Sequence, residues 1–94
     1  MSTITLITGA NQGIGLATAT ALAKDHGHHV IIGSRNAKAG ATVAEKLQAE
    51  GHKASSVQLD LASDESIYAA VKEIEQKHGH LDVLISEFIL IPLD

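Results

Sequence analysis

Short apolar runs alternate with longer amphipathic stretches along the 94 residues of the chain. The short runs are rich in β-branched residues and predict four buried strands, at residues 4–8, 29–33, 54–59 and 81–85. The longer stretches carry apolar residues at helical spacing and predict three helices, at residues 13–26, 38–50 and 64–78. Strands that alternate with helices of this length predict parallel βαβ units with right-handed crossovers. We therefore expect one α/β domain.

Three glycines lie at the junction between the first strand and the first helix, with the spacing G-x-x-x-G-x-G. The N–H groups that begin a helix are unpaired and lie at the positive end of its dipole, so a phosphate binds there if no side chain blocks it. Gly9 would allow a tight exit from the strand. Gly13 and Gly15 would allow a pyrophosphate to approach the backbone and the helix to pack on the strand. The alternative is a tight turn that binds no ligand.

The stretch TGANQGIG, from Thr8 to Gly15, resembles the T-G-x-x-x-G-x-G motif of the short-chain dehydrogenase/reductase family, and most of all its carbonyl-reductase-type members. LDL at residues 59–61 and LDVLI at residues 81–85 resemble the family's acidic position after the third strand and its fourth strand. The resemblance covers residues 3–85. It implies a Rossmann-type parallel sheet, here truncated to four strands and three helices in the order 3-2-1-4. It also implies NAD(P)-dependent oxidation or reduction of alcohols and carbonyls.

The resemblance further implies roles for individual residues. The cofactor pyrophosphate is expected against four of them, Gly9, Gly13, Ile14 and Gly15. The adenosine ribose is expected near Asn11 and Gln12. Asp60 is expected to accept a hydrogen bond from the adenine amino group, with Leu61 beside it. The alternative for Asp60 is that it only caps a turn before the third helix.

The residues after the second strand indicate which cofactor is bound. NAD-binding Rossmann sites usually place an acid here to accept hydrogen bonds from the ribose hydroxyls, whereas this chain has Gly33, Ser34 and Arg35. A carboxylate would repel a 2′-phosphate, and a guanidinium binds it in a forked, charge-assisted pair. Ser34 and Asn36 can add neutral hydrogen bonds. The sequence therefore predicts NADP(H) rather than NAD(H); the alternative is a solvated loop arginine.

The proton donor that the family uses is not found at its expected place. Carbonyl reduction needs a positioned proton donor, and family members supply it with a Tyr-x-x-x-Lys pair and a Ser, mostly beyond the fourth strand. Tyr68 and Lys72 have that spacing, but they precede the fourth strand on a predicted solvated helix. We interpret this spacing as coincidence and assign no catalytic residue.

The end of the chain departs from the family. The family continues after the fourth strand with Asn-Asn-Ala-Gly, where this chain has SEFILIPLD at residues 86–94. We interpret residues 86–94 as a divergent tail. A retained intron is one hypothesis for it; a genuine short protein and a truncated paralogue are the alternatives. In the strand order 3-2-1-4 the fourth strand is an exposed apolar edge, which predicts self-association through it.

Composition excludes several other functions. The net charge of −4 argues against a nucleic-acid or anionic-membrane partner, and the absence of cysteine excludes disulfides and cysteine-ligated zinc. Six histidines fall mainly in two loops, but no carboxylate is placed to complete a tetrahedral set, so we predict no metal site. No apolar run reaches the roughly 20 residues of a membrane span, and the first residues do not resemble a signal peptide. We expect a cytoplasmic protein.

The sequence thus predicts a partial dinucleotide-binding domain over residues 1–94, the NADP(H)-binding N-terminal part of a short-chain dehydrogenase/reductase that lacks its catalytic half. Two alternatives remain open. One is a binding module without enzymatic activity, and the other is an inactive truncated product. The substrate is not specified, because no pocket residue for it can be assigned.

Overall fold

The computed structural model describes residues 3–86 and the backbone of residues 89–92. The chain alternates strands and helices and ends in two consecutive strands. The elements are β1 (Ile4–Thr8), α1 (Gly13–His26), β2 (His29–Ser34), α2 (Ala37–Ala49), β3 (Ala54–Gln58), α3 (Asp64–His78), β4 (Val83–Ser86) and β5 (Ile89–Pro92). The first seven lie where the hydrophobic pattern predicts them, within two residues at either end.

The strands form one sheet in the order β3-β2-β1-β4-β5. The first four are mutually parallel, which confirms the predicted Rossmann-type architecture and the order 3-2-1-4. β1 lies at the centre of this parallel part, and all five of its residues are buried. That burial explains why its sequence is a continuous apolar and β-branched run instead of an alternating one.

The prediction that β4 forms the exposed edge of the sheet is wrong. β5 pairs with it antiparallel, from Val83 opposite Pro92 to Ser86 opposite Ile89. Only two residues separate the paired ends, and so short a connection permits antiparallel pairing alone. The open edge of the described sheet therefore belongs to β5. The predicted divergent tail, residues 86–94, lies outside the described residues except for Ser86 and this strand.

The two faces of the sheet are covered unequally. α1 and α2 pack on one face, where the core contains Ile7, Ala19, Ala23, Val30, Ile32, Ala44 and Leu47. α3 alone packs on the other face, where the core contains Leu6, Ile31, Val57, Ala70 and Ile74. All four side chains of β4 are only half-buried. The core is therefore centred on β1 and β2, the two strands that lead into α1 and α2.

Asp82 joins β4 to β1 at the amino end of the sheet. Its Oδ2 accepts a hydrogen bond from the backbone N–H of Ile4 at 2.8 Å and lies 3.2 Å from Nε2 of His80. Its own N–H donates to the carbonyl of Ile4 at 3.0 Å. β4 begins at Val83 and not at Leu81 as predicted. Within the described part of the chain, no helix combines the length and apolar character needed to cross a membrane.

Candidate nucleotide-binding site

A cavity of about 820 Å³ opens at the carboxyl ends of β1, β2 and β3. Its volume falls within the usual range for sites of small ligands and cofactors. Its lining includes every residue that the sequence predicts for the cofactor, namely Gly9, Asn11, Gln12, Gly13, Ile14, Gly15, Ser34, Arg35, Asn36, Asp60 and Leu61. Three further residues complete the lining, Thr8, Leu59 and Ala62. The fold thus brings together residues from three separate strand-to-helix connections.

The amino end of α1 is open to an anion. Its N-cap residue, Gln12, makes no side-chain hydrogen bond to the helix, and the first turn carries no acidic residue. The other two helices of the described chain differ, because Asn36 caps α2 and Ser63 caps α3 with their side chains. The first N–H groups of α1 lack an intrahelical acceptor and lie at the positive end of the dipole. They provide a binding place for phosphate.

Gly13 and Gly15 serve this turn in different ways. Gly13 has a φ of +62°, which disfavours other residues, and a Cβ atom placed on it would have no atom within 4 Å. Its missing side chain therefore leaves free space at the start of the helix. A Cβ atom on Gly15 would lie 2.6 Å from the carbonyl oxygen of Gly9 and 3.1 Å from the Cα of Ala10. Gly15 is therefore required by the close packing of α1 on the turn that follows β1.

Thr8 is a lining residue of the same cavity, and its buried hydroxyl has no partner within the described residues. The residue is 4% exposed, and its Oγ1 makes no hydrogen bond within the described residues. A buried polar atom without a partner costs free energy, so it calls for an acceptor or donor supplied from elsewhere. Thr8 belongs to the glycine motif but is not among the predicted cofactor-binding residues. The signal for it was only its position, one residue before the first glycine.

At the end of β2, one basic residue and no acidic residue line the cavity. Arg35 is exposed, and its guanidinium forms no ion pair with any described residue. Ser34 is buried, and its Oγ accepts a hydrogen bond from the N–H of Asn36 at 3.2 Å. The Oδ1 of Asn36 accepts from Lys38 and Ala39 at the start of α2, at 3.0 and 3.1 Å. The Asn36 side chain therefore caps α2, and its NH₂ group is the part left to donate to a ligand.

Asp60 takes part in the turn that the sequence analysis considered as its alternative role. Its Oδ1 accepts from the N–H of Ala62 at 3.0 Å, and its own N–H donates to Oγ of Ser66 at 2.8 Å. The second carboxylate oxygen makes no hydrogen bond to the described residues. Asp60 thus caps the turn before α3 and still lines the cavity with a free acceptor. Leu61, which follows it, is 55% exposed.

Tyr68 and Lys72 lie on α3 and not among the residues that line the cavity. Tyr68 is 61% exposed, and Nζ of Lys72 lies 5.1 Å from the centre of its ring. This pair forms a cation–π contact on the outside of the protein. Its position supports the interpretation that the Tyr-x-x-x-Lys spacing is coincidental.

Two of the histidines, His29 and His78, meet at the amino end of the sheet, opposite the cavity. The rings of His29 and His78 lie 4.6 Å apart in an edge-to-face arrangement, and Nε2 of His29 lies 3.2 Å from Oγ of Ser55. Burial, followed by the charges of His78 and Lys53, lowers the pKa of His29 below 6.5. Burial also lowers the pKa of His78. Within the described residues, no group of three or more metal-binding side chains comes together.

A doubly wound parallel sheet with a ligand-sized cavity at the carboxyl ends of its strands defines an α/β protein of the Rossmann type. A family model described as "short chain dehydrogenase" matches residues 3–87. The chain therefore belongs to the short-chain dehydrogenase/reductase family.

Curated relatives and solved structures agree with this assignment. Carbonyl reductase [NADPH] 1 of Mus musculus is 37% identical over 83 residues, which are 88% of this chain and 30% of that protein. Gluconate 5-dehydrogenase of Gluconobacter oxydans is 37% identical over 81 residues, which are 86% of this chain and 31% of that protein. A gluconate 5-dehydrogenase from Burkholderia cenocepacia, solved in complex with NADP and tartrate, has a TM-score of 0.82 at 35% identity and covers 89% of this chain and 33% of that one. The chain thus spans about a third of the length of these relatives.

Proposed function

We propose that this chain is the NADP(H)-binding N-terminal part of a short-chain dehydrogenase/reductase, and that these residues bind the cofactor without catalysing hydride transfer by themselves. In a complete family member the bound cofactor would supply the hydride for a carbonyl or accept it from an alcohol. This chain contributes the binding of the adenosine and pyrophosphate end.

The open amino end of α1 is the observation that carries the proposal. It offers unpaired N–H groups, a positive dipole end, no side-chain cap and no acid. Thr8 lines the same cavity, and its buried hydroxyl has no partner within the described residues, which leaves a polar group that a ligand or a water could satisfy. The residues present therefore fit a dinucleotide, whose pyrophosphate would lie against the start of α1.

The preference for NADP(H) rests on the connection between β2 and α2. Arg35 provides a guanidinium that forms no ion pair with the described residues, and the Asn36 cap leaves an NH₂ donor beside it. No acidic residue directly follows β2. Such a residue would accept hydrogen bonds from the ribose hydroxyls of NAD and would repel a 2′-phosphate. Names of similar proteins support this choice, since the mouse relative is called a carbonyl reductase [NADPH] and the Burkholderia structure contains NADP.

The proposal that the chain alone is inactive rests on the cavity lining. It contains no tyrosine, histidine or lysine within the described residues, so no side chain of those types is placed to donate a proton there.

A cytoplasmic location belongs to the same proposal, because a chain with no cysteine gains no disulfide in an oxidising compartment. A fluorescent fusion of the chain would test the location.

Calorimetry tests the binding. NADPH and NADH are titrated into the purified 94-residue chain, with circular dichroism to verify folding. We expect NADPH to bind more tightly than NADH. Arg35→Asp should abolish or reverse that preference, because it replaces the attraction for the 2′-phosphate by repulsion. Lys38→Asp is the matched control, since Lys38 is an exposed base three residues further on that does not line the cavity.

Three results would contradict the proposal or part of it. A folded chain that binds neither nucleotide would show that the site needs further residues. An NADPH-to-NADH affinity ratio that Arg35→Asp leaves unchanged would remove Arg35 from the site. Carbonyl-dependent NADPH oxidation by the 94 residues would show that the chain is catalytic after all.

A further inference from the structure

Arg35 is held by its backbone while its side chain stays free. The sheet pairing of β2 with β3 ends at Ser34, whose carbonyl accepts from the N–H of Leu59 at 2.9 Å. Gln58 is the register partner of Ser34. Its side-chain Nε2 then donates to the next carbonyl, that of Arg35, at 3.3 Å. The amide of Gln58 thus extends the ladder by one hydrogen bond beyond the end of the strand pair.

We infer that Gln58 is a positioning residue for cofactor selection, acting through the backbone of Arg35. The inference rests on the proposed NADP(H) function. Gln58 is not among the residues that line the cavity, so it has no direct access to a ligand there. Among the described residues, its side chain hydrogen-bonds to the residue whose guanidinium would bind the 2′-phosphate. Fixing that carbonyl fixes the direction in which the arginine side chain leaves the chain.

A fixed backbone matters because Arg35 is exposed and has several rotatable bonds. Ordering such a side chain on a ligand costs conformational entropy. The Arg35 residue is anchored before it by the Ser34–Leu59 bond and after it by the bond from the N–H of Asn36 to Oγ of Ser34. Without the Gln58 bond, the peptide unit between Arg35 and Asn36 would keep one hydrogen bond within the described residues, that of the Asn36 N–H, instead of two. Pre-organisation by Gln58 then favours NADPH over NADH, since only the 2′-phosphate uses the guanidinium.

The test replaces Gln58 by methionine, which has similar length and cannot donate. Gln48→Met is the matched control, because the Nε2 of Gln48 also donates to a backbone carbonyl, that of Ala54 at 2.6 Å, near the far end of α2. We expect Gln58→Met to lower the NADPH-to-NADH affinity ratio about threefold, as the loss of one exposed hydrogen bond implies. Gln48→Met should leave the ratio unchanged, whatever it does to stability.

A double-mutant cycle shows whether the effect passes through the arginine. In an Arg35→Ala background, Gln58→Met should no longer change the ratio. An equal fall in both backgrounds would overturn the inference, because Gln58 would then act on the ligand by itself. An unchanged ratio in a chain that does prefer NADPH would also overturn it and would leave the proposed function intact.

A measurement on the free chain separates failure of the inference from failure of the proposed function. The ¹⁵N order parameter of the Asn36 N–H, which shares a peptide unit with the Arg35 carbonyl, should fall in Gln58→Met, from the about 0.85 of rigid backbone towards about 0.6. If the wild type binds no nucleotide but the order parameter falls, the proposed function fails and the positioning of Arg35 by Gln58 stands. If the order parameter is unchanged, the positioning is refuted whether or not the chain binds NADPH.

Discussion

Replacing Gly15 by alanine separates the effect of helix propensity from the effect of packing, because the two predict opposite signs. Gly15 lies in the first turn of α1 with ordinary helical backbone. By propensity alone, an alanine in a helix is more favourable than a glycine by about 1 kcal/mol. The structure predicts the reverse, since the new methyl group would meet the backbone that leaves β1.

The magnitude follows from the contact. The Cβ atom would lie 2.6 Å from the carbonyl oxygen of Gly9, whereas ordinary contact begins at 3.4 Å. The three nearest atoms all belong to the backbone, so no side chain can rotate away. Overpacking of this kind costs about 1–3 kcal/mol, and we place it near 3 kcal/mol here. After the gain in propensity, the net loss is about 2 kcal/mol, or a melting temperature lower by roughly 8–16 °C for a chain of this size.

Urea unfolding followed by circular dichroism measures the effect. With a slope near 1 kcal/mol/M, the midpoint should fall by about 2 M. Gly40→Ala is the control at the glycine of α2, where the new Cβ atom would meet Cβ of Ser34 at 3.1 Å and the nearest backbone atom only at 3.7 Å. It should cost clearly less than Gly15→Ala. A Gly15→Ala chain as stable as the wild type, or more stable, would refute the packing of α1 on this turn.

Further predictions concern the site, the histidines, the sheet edge and Asp82. Gly13→Ala should weaken NADPH binding by about tenfold in calorimetry, because Gly13 lines the cavity and its φ of +62° strains the backbone of any other residue there; unchanged affinity would place the phosphates elsewhere. Burial lowers the pKa of His29 and of His78, so the unfolded chain binds more protons below pH 6.5. The free energy of unfolding should therefore fall as the pH drops from 6.5 through the lowered pKa values, and His29→Gln should flatten that slope in urea titrations; an identical slope would contradict the assignment. Self-association is expected through the open edge of Ile89–Pro92, and sedimentation at rising concentration that stays monomeric would exclude it. Asp82→Ala should lower the melting temperature by roughly 4–8 °C, because the first N–H of β1 loses its carboxylate partner, a loss of about 1 kcal/mol; an unchanged melting temperature would show that water replaces it.

Most of the fold could be predicted because its signals are local. The alternation of β-branched runs with Ala- and Leu-rich stretches depends only on residues that are near each other in the chain, and it identifies the strands and the helices. Gly27 and Gly79 end α1 and α3 with left-handed backbone, as their place after the last apolar position indicates. Once four strands alternate with helices, parallel pairing and the carboxyl-end position of the site follow from chain connectivity.

The pairing of β5 was missed for a physical reason. Ile89–Pro92 is an apolar run whose partner is not set by its own sequence, since any open strand edge offers the same N–H and C=O groups. From the sequence alone, these residues were therefore assigned only to the divergent tail, and self-association was expected through the fourth strand. In the structure the nearest such edge is that of β4 in the same chain.

What the sequence by itself determined is the set of candidate residues, because the glycine spacing and the Ser34–Arg35–Asn36 stretch are contiguous features. What only the tertiary structure decided is how each of them is used. Gly15 packs on the backbone after β1, and Oδ1 of Asn36 caps a helix. The Gln58 amide reaches a carbonyl 23 positions earlier in the chain. Such contacts depend on which strands become neighbours and in what register, and no local pattern of apolar and polar residues specifies that.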